Sequence, residues 1–228
     1  MGTRSSTGFI HKEKYTGVYN QFDGYLGGVG KDVVKVLRAL LRPDRDAEDP
    51  KKSMQEKLAI MKERLSAVKA VTNETPPTEE EQRMYMEAGF CDTDRLEIYK
   101  GFQKQPQEGN VFGLSVSKRS PTDWYCLLRA VQGVAWIEQA YLGKLHHILD
   151  GSDFPKDSVF CEYAYAINFD TDRLEIYKGF QKQPQEGNVF GTESDRDYFP
   201  CAKVIEFPLL DIPGDWMEQA EKAMGIEE

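Results

Sequence analysis

The sequence predicts an α+β fold: a mainly antiparallel sheet built from an N-terminal hairpin and a C-terminal meander, with a helical middle. Two observations carry this. Stretches rich in β-branched and aromatic residues lie at both ends of the chain. Stretches with three- and four-residue apolar spacing fill the middle, and strands segregated from helices favour α+β over an alternating α/β fold. At 228 residues the chain is read as one domain, 1–228, with a helical insertion at about 43–90.

The hairpin occupies residues 4–22: "RSSTGFI" and "YTGVYNQF" flank the polar turn "HKEK". "DGYLGGVG" breaks the pattern, and "KDVVKVLRALL" then places Val33, Val34, Leu37, Leu40 and Leu41 on one helical face. From residue 51 to 71, Met54, Leu58, Met61, Leu65 and Val68 form one stripe, too short for a coiled coil and expected to pack on the body of the protein. "TEEEQRMYMEAG" reads as a short helix with Thr78 and Glu81 as a capping box and Gly89 as its stop. In "SPTDWYCLLRAVQGVAWIEQAYLGKLHHIL", Ser120 caps, Pro121 suits the first helical position, and Asp123 complements the positive helix end. Its apolar stripe runs from Trp124, Leu127, Leu128 and Val131 to Ala135, Tyr141, Leu145 and Ile148, with Gly133 and Gly143 as points where it breaks or bends. The meander "VFCEYAYAINF", "DTD", "RLEIYKGF" and the strand "YFPCAKVIEFPL" follow, and "DIPGDWMEQAEKAMG" closes as a helix.

"DTDRLEIYKGFQKQPQEGNVFG" occurs twice, letter for letter, at residues 92–113 and 170–191. Packing repeats diverge and recur more than twice, so this reads as either a recent internal duplication or an error of sequence assembly, with one copy native and one intruding. The second copy follows "EYAYAINF" across a three-residue turn and forms a hairpin directly. It is expected to hold the sheet position, with residues 92–113 at an edge or bulging outward.

A net charge of −9 and a pI near 5.0 disfavour direct nucleic-acid binding. No apolar run has the length of a membrane span, and "MGTRSSTGFIHKEKY" has no secretory apolar core, so no membrane association is expected. Gly2 and Ser6 fit a short myristoylation pattern, but the same residues read well as the start of a strand. Cys91, Cys126, Cys161 and Cys201 lie far apart with no CxxC pair, which fits reduced, mostly buried thiols in a cytoplasm. His146 and His147 are adjacent and would diverge on a helix end, so no metal site and no cofactor is expected.

The glycine-rich loop "FDGYLGGVGKD" precedes a helix, a setting in which backbone N–H groups of Gly28 and Gly30, with Lys31, can meet an anion. A P-loop needs glycine where Tyr25 stands and a hydroxyl where Asp32 stands, so that motif fails. The commoner use of such glycines is a strand-to-helix turn. In a hairpin entering a helix, Arg4 can meet Asp23 with Gln21 and Tyr25 nearby, either as a structural ion pair or as a polar ligand site. No nucleophile–base–orienter set is assembled; the chain reads as a binder more readily than as an enzyme.

The segment "MGTRSSTGFI…YTGVYNQFDGYLGGVGKDVVKVL" resembles the opening of a family of small uncharacterised proteins common in bacteriophage genomes and prophages. Their pattern is Met-Gly-Thr-Arg-Ser, then Gln-aromatic-Asp-Gly-Tyr-Pro-x-Gly-x-Gly before a helix. Gly2, Thr3, Arg4, Ser5, Gln21, Phe22, Asp23, Gly24, Tyr25 and Gly30 match, as does Gly27 or Gly28, whereas Leu26 replaces the usual proline and loosens the turn. "EYAYAINFDTDRLEIY" is similar to the family's closing meander, while the helical middle is particular to this chain. The resemblance implies phage origin and action in the host cell cytoplasm, without implying a reaction. The leading expectation is therefore an accessory protein that binds a host or phage protein, such as a host defence or regulatory component. Two alternatives stand beside it. One is a small-ligand-binding protein or enzyme taking a small anion at Arg4, Gln21, Asp23, Tyr25, Gly28, Gly30 and Lys31; the other is an oligomeric virion structural protein assembling through the helix at 51–71.

Overall fold

The computed structural model describes residues 2–42, 53–90, 123–194 and 197–226. The first repeat copy, with its expected edge position, lies outside these residues, as do Cys91, Ser120 and Pro121. The chain forms two compact units, Met1–Ala70 with Gln132–Glu228, and Val71–Val131.

The larger unit is α+β around a five-stranded sheet. The hairpin forms β1 (Ser5–His11) and β2 (Lys14–Asn20), paired from Ser5↔Asn20 to His11↔Lys14. Lys12 and Glu13 turn the chain with φ of 53° and 61°, the geometry that suits the right-handed twist of a two-residue hairpin. A π-helical turn over Leu26–Gly30 leads into α1 (Lys31–Leu41), whose Val33, Val34, Leu37, Leu40 and Leu41 are buried as the periodicity predicts.

The next helix, α2 (Met54–Ser66), is shorter than the predicted 51–71. A capping box of Ser53 and Glu56 starts it. It ends where Lys69 donates to the carbonyl of His146 and the chain enters β3 (Lys69–Val71), a long-range pairing that helical periodicity does not register. The expected stripe does pack on the protein: Leu58, Met61, Leu65 and Val68 are buried.

In the smaller unit, α3 (Glu79–Glu87) carries the predicted Thr78–Glu81 capping box, and Gly89 stops it at φ 72°. Trp124–Leu127 forms the short α4, capped by Asp123, whose Oδ1 accepts from the amide of Cys126 at 2.7 Å. Asp123 is thus the cap itself, a position predicted for Ser120. Tyr85 packs between Phe90 and Trp124, and the indole of Trp124 donates to the carbonyl of Thr75.

Back in the larger unit, Gly133 and Gly143, both at φ 72°, bound α5 (Ala135–Tyr141), so the stripe breaks at the two glycines the sequence singled out. His147 falls in β4 (His147–Leu149), which pairs with β3, and not on a helix end. The meander follows as β5 (Tyr163–Asn168), β6 (Arg173–Lys178) and β7 (Ala202–Pro208), and α6 (Trp216–Ala223) closes the chain.

Strand order is β2-β1-β5-β6-β7, antiparallel except at the parallel β1–β5 seam. On one face, buried Thr7 accepts from the indole of Trp136 at 3.1 Å and donates to the carbonyl of Gly133 at 2.7 Å, and Phe9 packs against Trp136 and Phe169. On the other, Ile10, Tyr15, Ala164, Ala166, Tyr177, Phe190, Cys161 and Cys201 form a second core cluster. Both of these cysteines are free thiols.

The second repeat copy holds the sheet position, with β6 between β5 and β7. Asp170 accepts from the amides of Lys12 and Glu13, Gln185 brackets the backbone of Lys203 with both ends of its amide, and Phe190 packs edge-on against Tyr15.

Candidate functional site

Sheet register decides what lies at each end. Asn20, Ser5, Tyr163, Lys178 and Ala202 stand side by side across the five strands. Residues 21–25, 3–4, 160–162 and 179–182 therefore project beyond one end of the sheet. All five exposed aromatic side chains among the described residues sit there or one residue inside it: Tyr19 (37%), Phe22 (62%), Tyr25 (45%), Phe160 (40%) and Phe180 (47%). Cations lie over rings of the same region. The guanidinium of Arg4 is 5.2 Å from the centroid of Phe160, the ammonium of Lys178 is 3.9 Å from Tyr163, and that of Lys182 is 3.4 Å from Tyr198. Each such pair holds a long side chain against an aromatic face instead of leaving it free in water.

Of the residues predicted from sequence, Arg4, Gln21, Asp23 and Tyr25 come to this end, but Arg4 and Asp23 form no ion pair. Reasoning from the hairpin alone omits β5. The parallel neighbour places Phe160 under Arg4, and Glu162 donates its amide to the carbonyl of Arg4 at 3.1 Å.

Gly28, Gly30 and Lys31 belong to the π turn and its exit, where the backbone donors are already engaged. The amide of Val29 donates to the carbonyl of Asp23 at 2.8 Å, and those of Gly28 and Gly30 donate to that of Tyr25 at 3.1 and 3.3 Å. Lys31 donates to the carbonyls of Gly28 and Leu26. These amides have no donor left for an anion. Gly28 is required because a Cβ would stand 2.1 Å from the carbonyl oxygen of Asp23. Tyr165 fastens the turn from below, donating its hydroxyl to the carbonyl of Gly24 at 2.9 Å; burial pushes this phenol well up and keeps it protonated.

A buried polar cluster elsewhere is also fully engaged. Glu175 accepts from Asn168 at 3.0 Å, from the hydroxyl of Tyr177 and from Lys203 at 3.2 Å, and Lys203 reaches Glu206 at 2.8 Å. Burial raises the phenol of Tyr177. Partial burial opposes the charge on Lys203, but its contacts with Glu206 and Glu175 prevail and raise its pKa. The cluster is a satisfied network, with no group poised to attack a substrate. Among the described residues no three His, Cys, Asp or Glu side chains are grouped to hold a metal ion, and no helix is long and apolar enough to cross a membrane.

Phe160, Phe180, Lys178 and Lys182 were missed by sequence reasoning. They join the hairpin end only through the β1–β5 seam, which no local pattern announces. Phe22, an aromatic inside a polar turn, was the one local signal. No family model, curated protein or solved structure matches the chain significantly.

Proposed function

We propose that this chain is a phage-encoded accessory protein of the host cytoplasm that binds a protein partner, a host defence or regulatory component, through the aromatic end of its sheet. One observation carries the reading: the clustering of every exposed aromatic side chain of the described residues at that end, beside Arg4. Aromatic residues and arginine are the types enriched at the centres of protein interfaces. Leaving such rings in water forgoes roughly 1.5–3 kcal/mol for each large apolar side chain that a partner could cover. The net charge of −9 opposes a phosphate backbone as the partner. Phage origin rests on the resemblance of the opening segment.

Affinity capture from infected-cell lysate with the wild-type chain and with Phe22→Ser and Phe180→Ser tests the proposal. A protein held by the wild type and lost by both variants, with melting temperatures within a few degrees, supports it. Hot-spot losses of about 2 kcal/mol correspond to roughly 30-fold weaker binding. Identical capture by all three chains would remove the sheet end from the binding surface.

A further inference from the structure

Two free thiols lie together beneath the aromatic end of the sheet. Cys161 stands just before β5 and Cys201 immediately before β7, and both are fully buried. Cys201 Sγ donates to the carbonyl of Cys161 at 3.2 Å, and Cys161 Sγ donates to the carbonyl of Tyr163 at 3.2 Å. Their backbones are anchored independently of the sulfurs. The amide of Cys161 donates to the carbonyl of Asp157 and that of Cys201 to the carbonyl of Pro155, each at 2.9 Å. The carbonyl of Cys201 accepts from the side chain of Asn188 at 2.9 Å. Gly179 keeps the approach clear, since a Cβ there would stand 2.1 Å from the same Cys161 carbonyl. Burial, and then the adjacent Cys201 thiol, push the Cys161 thiol well up, so it rests protonated and slow to react.

We infer that Cys161 and Cys201 form a latent redox staple, which hydrogen peroxide closes into a disulfide joining the turn before β5 to the start of β7. One cysteine, as its thiolate, attacks an oxygen of the peroxide; the O–O bond breaks, a sulfenic acid forms and hydroxide leaves to become water. The second thiol attacks the sulfenic sulfur, the S–O bond breaks, and the departing hydroxide takes up the thiol proton as a second water. Two thiols and one peroxide thus give one disulfide and two waters, with sulfur oxidised and oxygen reduced. A small oxidant suits a pair this deeply buried. The link would brace the segments that carry the exposed rings. Phe160 directly precedes Cys161, the amide of Phe180 donates to the carbonyl of Ser158 at 2.8 Å, and the hydroxyl of Ser158 donates to the carbonyl of Phe199 at 2.5 Å. The staple stands whether or not that end binds a partner.

The test is peptide mapping of the full chain after hydrogen peroxide treatment under native conditions, a catalase quench and unfolding in N-ethylmaleimide. The expected product joins the Cys161 and Cys201 peptides at two hydrogens below their summed mass and is released by dithiothreitol. Because the two positions are 40 residues apart, the link restricts the unfolded chain. The oxidised protein should therefore melt roughly 5–10 °C higher than the reduced one and return on reduction. Cys201→Ser should show no such rise and should leave Cys161 as a sulfenic acid that dimedone traps; the wild-type map decides the question if this variant does not fold. Both thiols still alkylated after treatment, a link that forms only in denaturant, or a link that fails to raise the melting temperature would overturn the assignment.

Discussion

Asp170 ties the meander to the hairpin through one side chain. Its carboxylate accepts from the amides of Glu13 at 2.8 Å and Lys12 at 2.9 Å, and His11 Nδ1 stands 3.7 Å away. These bonds, that from Glu13 first, hold the carboxyl below its usual range. With the folded pKa below the unfolded one, the bonds stabilise the fold above the ordinary carboxylate range, and the stabilisation is lost as pH falls through the folded value. Asp170→Asn should cost about 1 kcal/mol at neutral pH, and its melting temperature should converge on that of wild type as the carboxyl is protonated in acid, below the ordinary carboxylate range. A constant gap across the acid range would exclude the carboxylate as its source. At the π turn, Gly28→Ala should destabilise by about 1–3 kcal/mol because the new methyl meets the carbonyl of Asp23. Gly27→Ala should be tolerated, since its Cβ would meet only the ring of Tyr25 at 3.5 Å. Thermal melts of both variants separate close packing at one glycine from a general need for glycine.

Among the elements, α2 and β6 carry the sharpest expectations. Leu58→Ala should cost about 2–5 kcal/mol, as for other buried leucines; a negligible change in chemical denaturation would place the stripe in solvent. Deleting residues 92–113 should leave a folded, binding-competent protein. Deleting 170–191 removes a central strand together with Asp170, Gln185 and Phe190, and should abolish cooperative unfolding unless the remaining copy takes its place. If the first deletion is the damaging one, the assignment of native and intruding copies is reversed. Elements with local signals were legible in the sequence: the hairpin, α1, the Thr78–Glu81 box, and the second copy as a sheet strand. The helix over 51–71 and the stripe over 124–148 were overdrawn. Their apolar spacing continues past Ser66 and Gly143, where β3 and β4 take over by pairing with each other.

For the molecule as a whole, half of the candidate site was legible and half was not. Arg4, Gln21, Asp23 and Tyr25 meet because a hairpin brings its two ends together. Phe160, Phe180 and Lys178 join them because Ser5 pairs with Tyr163 and Tyr163 with Lys178, over separations that only the folded sheet resolves. Binding through this end is the central claim, and hydrogen–deuterium exchange with the captured partner tests it most directly. The result predicted is protection confined to residues 2–5, 19–25, 160–163 and 178–182, with α2 unchanged. Protection elsewhere, with the aromatic end exchanging as in the free protein, would contradict it.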